Sequence, residues 1–180
     1  MIHLRHPLAT ALLTAALCAA AQPAAAVNLE SNPKSGVAGK LAESFDFELA
    51  GDRRFVRLAE LPAQTTLINF WRSDCPPCVR EMPLLAELAQ SGKVRVITVA
   101  LQRPQETAAA PAAITETLKP PLLSLHGPSE PRGLLARFGN PHGALPHTVL
   151  LDPERHPCGQ HTGELSSAWL AAATAACSTP

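Results

Sequence analysis

The middle of the chain alternates short apolar stretches with an amphipathic one. Residues 65–71 and 94–101 are mostly apolar and rich in β-branched side chains, which is typical of central strands covered on both faces. Between them, residues 79–89 carry apolar side chains at helical spacing, and Gly92 is suited to end that helix. The order strand, helix, strand predicts a parallel pair of strands joined by a right-handed crossover.

Weaker patterns on either side of this crossover predict the rest of the fold. Apolar and polar residues alternate over 45–49 and 55–58 around a turn at Gly51-Asp52, which predicts a β-hairpin. Downstream, the pattern predicts helices over 112–118, 131–138 and 166–177. It predicts strands over 122–125, from Pro146 to the turn at Asp152-Pro153, and over 158–162. We therefore expect an α/β protein with a central mixed sheet, helices on both faces and an N-terminal β-hairpin extension.

The first 26 residues have the composition of an export signal. Arg5 and two histidines precede an apolar run over residues 8–21, and Pro23 and the small residues 24–26 follow it. The run is shorter than the roughly 20 residues that a membrane span requires. The sequence therefore favours a cleaved signal peptide over residues 1–26 and a periplasmic or otherwise extracytoplasmic protein, with an uncleaved membrane anchor as the alternative.

The expected mature chain is long enough for one domain. Removing 26 of the 180 residues leaves 154, which can enclose one sizeable core. Residues 27–40 are polar and rich in turn formers, which predicts a flexible lead-in to a domain over residues 41–180. The signal takes one of 15 basic residues and none of 15 acidic residues, so the net charge becomes −1. A nucleic-acid or anionic-lipid partner needs a basic excess, so neither is expected.

Four of the five cysteines lie outside the predicted signal, and two of them form a Cys-x-x-Cys motif. Cys75-Pro76-Pro77-Cys78 directly follows the predicted strand over 65–71 and opens the predicted helix. A helix N-terminus stabilises a thiolate, which lowers a thiol pKa from about 8.5 to roughly 3.5–7.5. We therefore predict a redox-active disulfide, with Cys75 as the exposed nucleophile and Cys78 as the resolving thiol.

Other uses of this motif fit the sequence less well. A structural zinc site needs two further ligands at similar spacing, and the other cysteines, Cys158 and Cys177, are far apart. Haem attachment needs a histidine after the second cysteine, where this chain has Val79. A purely structural disulfide stays open, although a loop this short gives little entropic stabilisation.

Residues 69–83, which read NFWRSDCPPCVREMP, resemble the active-site segment of the TlpA/ResA type of extracytoplasmic thioredoxin-like proteins. Pro83 matches the proline that kinks the active-site helix of thioredoxins. Leu145-Pro146, before a predicted strand, matches the family's cis-proline position. The resemblance covers roughly residues 41–172 and implies a thioredoxin-like sandwich.

The resemblance also implies that Pro146 belongs to the catalytic residues with Cys75 and Cys78. A cis bond at Pro146 would place the backbone of Leu145 beside the cysteines, free to pair with an extended substrate. An ordinary trans proline at a strand start is the alternative.

Two residues depart from the family pattern. Asp74 stands where a tryptophan commonly precedes the first cysteine. If the Asp74 carboxylate lies close to Cys75, its charge raises the pKa of the Cys75 thiol; the alternative is that Asp74 points to solvent as a helix-start residue. Asn69 stands where cytoplasmic thioredoxins carry a buried acid, so the sequence supplies no proton-transferring carboxylate at that position. Glu81 either faces the site or is a first-turn acid, and His147 either tunes the site or is an ordinary polar strand residue.

Cys158 and Cys177 form the other candidate pair. One opens the last predicted strand and the other closes the helix that returns over it, which brings both to the same edge of the domain. A structural disulfide is therefore predicted, and a second redox centre is the alternative.

The function implied by the resemblance is disulfide exchange with partner proteins. It implies a reductant that receives electrons from a membrane thiol donor and acts on apocytochrome c or copper-site thiols. We expect no cofactor and no metal. One alternative is a thiol peroxidase of the same fold, which needs a separate peroxidatic cysteine in an Arg-flanked pocket. The other is a non-catalytic copper-binding module that uses Cys75, Cys78 and His147.

Overall fold

The computed structural model describes residues 48–51, 54–128 and 130–177. The strands in this part of the chain are β1 (Glu48–Gly51), β2 (Arg54–Arg57), β3 (Thr66–Trp71), β4 (Arg95–Ala100), β5 (Leu123–His126), β6 (His147–Leu151) and β7 (Pro157–Thr162). The helices are α1 (Pro76–Gln90), α2 (Pro104–Ala108), α3 (Ala112–Thr115), α4 (Arg132–Arg137) and α5 (Ser167–Cys177). The predicted signal, the predicted lead-in and residues 45–47 of the first predicted strand lie outside the described residues.

The strands form one mixed sheet in the order β2-β1-β5-β4-β3-β6-β7. β3, β4 and β5 are parallel neighbours, and the remaining pairings are antiparallel. β3 and β4 are the strands of the predicted crossover, and α1 connects them. β1 and β2 form the predicted hairpin at one edge of the sheet.

Helices cover both faces of this sheet. On one face, α1 and α5 pack Met82, Leu85 and Trp169 against side chains such as Trp71 of β3. On the other face, α4 packs Leu135 onto a second apolar cluster. All six residues of β3 are buried, because successive side chains point into the two clusters alternately. The predicted α/β sandwich with a mixed sheet is confirmed.

The segment after β4 differs from the sequence prediction. The helix predicted over 112–118 spans only Ala112–Thr115, and the separate helix α2 precedes it. Pro104 occupies the first turn of α2, where a missing N–H costs nothing. The hydroxyl of Thr117 donates to the carbonyl of Ile114, a local bond that competes with continuation of the helix.

Candidate active site

The Cys75–Cys78 pair lies where β3 gives way to α1. Cys75 is the N-cap of α1 with extended backbone angles, and the two cysteines form a disulfide with a Cα–Cα distance of 5.3 Å. Cys75 is half-buried, whereas Cys78 is completely buried in the apolar cluster under α1. Of the two sulfur atoms, that of Cys75 therefore belongs to the more accessible residue.

The two prolines between the cysteines shape the N-terminus of α1. Pro76 and Pro77 occupy the first two helical positions and carry no N–H. The first backbone N–H available in the helix is that of Cys78, and it donates to Cys75 Sγ at 3.3 Å. In the reduced protein, the same N–H group and the positive end of the helix dipole would favour a thiolate at Cys75.

A charge pair precedes Cys75. Arg72 donates to both carboxylate oxygens of Asp74, at 2.8 and 3.0 Å, and its Nη1 donates to the carbonyl of Leu101. The bond from Arg72 holds the pKa of Asp74 below its ordinary value. Asp74 is exposed, which agrees with the interpretation that it points to solvent. Its carboxylate is nevertheless paired with the Arg72 guanidinium.

The same loop is held from the other side by Gln102. The backbone N–H and the hydroxyl of Ser73 both donate to Gln102 Oε1, at 2.7 and 3.0 Å. Gln102 Nε2 in turn donates to Thr107 of α2 at 2.9 Å. Ser73 and Gln102 could not be assigned to the site from the sequence, because no motif links the two positions.

Glu81 supplies a buried carboxyl on the helix that carries Cys78. Only 2% of its surface is exposed. Asn69 Nδ2 donates to Oε1 at 2.7 Å and the backbone N–H of Leu165 donates to Oε2 at 2.8 Å. Burial outweighs these bonds and raises the pKa of Glu81 to about 7. The acid absent from position 69 is thus replaced by a carboxyl that reaches Asn69 from α1.

The loop before β6 contributes Pro146. The Leu145–Pro146 bond is cis, and Pro146 is buried while Leu145 is half-buried. Leu145 packs against the same apolar cluster as Cys75. The Pro146 carbonyl accepts a hydrogen bond from the N–H of Gly163 at 2.9 Å.

His147 lies on the opposite face of the sheet from Glu81. It pairs with Phe70 in the β3–β6 register, whereas Asn69 pairs with Thr148, so the two sets of side chains point to opposite faces. His147 Nε2 contacts the carbonyl of Phe138 and Nδ1 contacts the hydroxyl of Thr162, both at 2.8 Å. The described contacts of His147 thus lie on the Phe70 face of the sheet and include neither cysteine, and its role in tuning the disulfide or in binding copper stays a prediction.

Cys158 and Cys177 form a second disulfide with a Cα–Cα distance of 5.4 Å. It connects the beginning of β7 to the end of α5. Cys177 is buried and Cys158 is half-buried against the apolar cluster under α1 and α5. The bond therefore fastens the last helix to the edge strand of the sheet.

Within residues 48–51, 54–128 and 130–177, no three His, Cys, Asp or Glu side chains lie close enough to share a metal ion. In the same part of the chain, no helix combines the length and the apolar character that crossing a membrane requires.

Comparison with known proteins gives consistent matches. A family model described as Redoxin matches residues 37–175. The thiol:disulfide interchange protein DsbE of Pseudomonas aeruginosa is 32% identical over 121 residues, which are 67% of this chain and 63% of that protein. The thiol-disulfide oxidoreductase ResA of Halalkalibacterium halodurans is 39% identical over 75 residues, which are 39% of this chain and 41% of that protein. The matches thus span less than two thirds of either curated relative.

A solved structure extends the likeness to the fold. A thioredoxin-related protein from Neisseria meningitidis serogroup B is 27% identical, with a TM-score of 0.57, and the match covers 72% of this chain and 98% of that one. The thioredoxin-like fold and the family resemblance inferred from residues 69–83 are confirmed.

Proposed function

Because the chain belongs to the Redoxin family, we propose that it is a thiol–disulfide oxidoreductase that exchanges disulfides with partner proteins through Cys75 and Cys78. The observation that carries the proposal is the disulfide between a half-exposed N-cap cysteine and a buried cysteine one turn later. This asymmetry gives the two sulfurs different roles, since only one of them is accessible to a partner.

The proposed exchange starts from the reduced pair. The Cys75 thiolate attacks one sulfur of a partner disulfide, so a mixed disulfide forms and the partner's other sulfur leaves as a thiolate that takes up a proton. Cys78 then attacks Cys75 Sγ, which closes the intramolecular disulfide and releases the partner's second thiolate. Two electrons pass from the cysteine pair to the partner, which leaves reduced.

Glu81 is proposed to accept the proton that Cys78 gives up in the second step. Cys78 and Glu81 are three residues apart on the helix, so they face the same side, and both side chains are buried. With a pKa of about 7, the carboxyl exchanges protons near neutral pH, where a general base is most effective.

The direction, the partners and the location are part of the same proposal. Relatives named as a thiol:disulfide interchange protein and a thiol-disulfide oxidoreductase support exchange with disulfides. We further propose that the protein acts outside the cytoplasm and as a reductant of protein disulfides. We assign apocytochrome c or copper-site thiols as its targets and a membrane thiol protein as its electron donor. Pro146 and the adjacent Leu145 backbone are assigned to docking of the partner chain.

An insulin-reduction assay tests the exchange activity. The wild-type protein should accelerate the reduction of insulin by dithiothreitol, and Cys75→Ser should abolish that acceleration. The variant without Cys158 and Cys177 is the matched control and should remain active. The reduction potential of the Cys75–Cys78 pair tests the direction, because a reductant must have a potential below that of its target. A wild-type protein that does not accelerate insulin reduction would contradict the proposal.

A further inference from the structure

Two arginine side chains lie at the end of the sheet opposite the Cys75–Cys78 disulfide. β3 begins at Thr66 and ends at Trp71, shortly before the cysteines. Thr66 pairs with Arg95, the first residue of the neighbouring strand β4. Arg95 and Arg155 line a single cleft at this end. We propose that this cleft binds a phosphate-type oxyanion, held between the two guanidinium groups.

The protein contacts of these two arginines leave their charges uncompensated. Arg95 donates to Thr66 Oγ1 at 3.2 Å and to the carbonyl of Pro62 at 2.7 Å. Arg155 donates to the carbonyl of Ala59 at 3.0 Å. These acceptors are neutral, and each guanidinium has five N–H donors, so most donors remain available for a ligand.

Four other arginines of the described chain differ in this respect. Arg57, Arg72, Arg80 and Arg103 each form an ion pair with a carboxylate. Among the described residues, neither Arg95 nor Arg155 forms such a pair, and no carboxylate lines their cleft.

Two like charges in one cleft are unfavourable without a counter-charge. Burial and then the positive charge of Arg155 lower the pKa of Arg95. An anion between the two guanidinium groups would offset the repulsion between them and would accept hydrogen bonds from their remaining N–H donors. The planar fork of arginine matches the oxygens of a phosphate group, which makes this the favoured ligand class.

A tight backbone turn carries Arg155 at the cleft. Its φ of 70° lies in the left-handed region, which is uncommon for a residue other than glycine. The turn that imposes this angle is closed by bonds from Arg155 N–H to Asp152 and from Asp152 N–H to the carbonyl of His156. The bond from the Arg155 guanidinium to the carbonyl of Ala59 restrains the side chain itself, and a restrained side chain loses less entropy when it binds an anion.

Titration calorimetry with inorganic phosphate at constant ionic strength tests the site. The protein should bind one phosphate saturably, and Arg95→Gln and Arg155→Gln should each weaken the affinity about tenfold or more. Arg132→Gln is the matched control, because it removes the same charge from an exposed position on α4 and should bind like the wild type. Arg95→Lys keeps the charge and should weaken binding less than Arg95→Gln, which separates ligand contact from misfolding.

Sedimentation with phosphatidylglycerol vesicles identifies the source of the phosphate. Vesicle binding that Arg155→Gln removes assigns the cleft to a lipid headgroup, whereas binding of inorganic phosphate alone assigns it to a free ligand. The inference is overturned if neither source binds saturably at concentrations up to about 10 mM, which corresponds to an affinity too weak to use. It is also overturned if Arg132→Gln weakens binding as much as the cleft variants do.

Discussion

Asn69 and Glu81 are joined by a buried hydrogen bond of 2.7 Å in which the amide of β3 donates to the carboxyl of α1. The N–H of Leu165 holds the other carboxyl oxygen at 2.8 Å. Both oxygens are thus fixed, and neither donor carries a charge that would neutralise an ionised carboxylate. Burial therefore dominates, and the pKa of Glu81 is raised to about 7.

Glu81→Gln should remove a pH dependence from disulfide exchange. In the wild type the rate should rise as the pH passes through about 7, because the ionised carboxylate accepts the Cys78 proton. The variant should lack this inflection and react about 100-fold more slowly at high pH, as measured by stopped-flow tryptophan fluorescence. Glu87→Gln, exposed on the same helix, should keep the wild-type profile. An unchanged inflection in Glu81→Gln would exclude Glu81 as the base.

Glu81 should also make folding stability depend on pH. Its pKa rises from 4.5 to about 7 on folding, so the folded state retains a proton that the unfolded state releases between these values. The stabilisation is complete below the unfolded pKa and is lost as the pH rises through about 7, by at most about 3 kcal/mol. Urea denaturation at pH 5 and pH 8 should show this loss in the wild type and not in Glu81→Gln. Comparing the two proteins cancels the contribution of His147, whose pKa burial lowers.

The unequal exposure of the two cysteines predicts unequal trapping of partners. Cys78→Ser should accumulate mixed disulfides with partner proteins, because Cys75 can attack but nothing can release the product. Cys75→Ser should accumulate few, since Cys78 is buried. Non-reducing electrophoresis after alkylation measures both. Equal trapping by the two variants contradicts the assigned roles.

The Arg72–Asp74 pair predicts opposite shifts in the Cys75 thiol pKa. Arg72→Ala leaves the Asp74 carboxylate unpaired beside the thiol and should raise its pKa, whereas Asp74→Ala leaves the guanidinium and should lower it. At this exposed position we expect shifts of roughly 0.5–1 unit. Thiolate absorbance at 240 nm as a function of pH measures both. Shifts of the same sign would show that the variants act through loop structure rather than charge.

The Cys158–Cys177 disulfide should serve stability and not catalysis. The double replacement by serine should destabilise the protein by up to about 3 kcal/mol, the entropy of closing a loop of about 20 residues. Insulin reduction should be unchanged at a temperature where the variant is folded. Loss of activity without loss of stability would favour a second redox centre instead.

The sequence was most informative where structure is local. The strand, the Cys-x-x-Cys motif and the helix follow each other directly, so periodicity and composition were enough to place Cys75 at a helix N-terminus. The contact between Asn69 and Glu81 depends instead on how α1 packs over β3, which no local pattern records. The face on which His147 lies depends on strand register, where a shift of one residue reverses the result.

Prolines were the least reliable guides to helix limits. The sequence pattern predicts a helix only from residue 112, directly after Pro111, and α3 begins there as predicted, whereas Pro104 begins the additional helix α2. A proline disrupts the interior of a helix but fits its first turn, and the sequence does not distinguish these positions until the neighbouring contacts are known.

The segment from Gly163 to Leu165 reaches three parts of the site without a catalytic side chain of its own. Its backbone N–H groups contact the Pro146 carbonyl and the Glu81 carboxyl, and Glu164 pairs with Arg80 of α1. Gly163 has a φ of 115°, which side-chain-bearing residues rarely adopt. In a saturation-mutagenesis library selected for activity, Gly163 should therefore tolerate few substitutions. Leu165 should be replaceable mainly by other apolar residues, because its bond to Glu81 uses the backbone N–H and not the side chain.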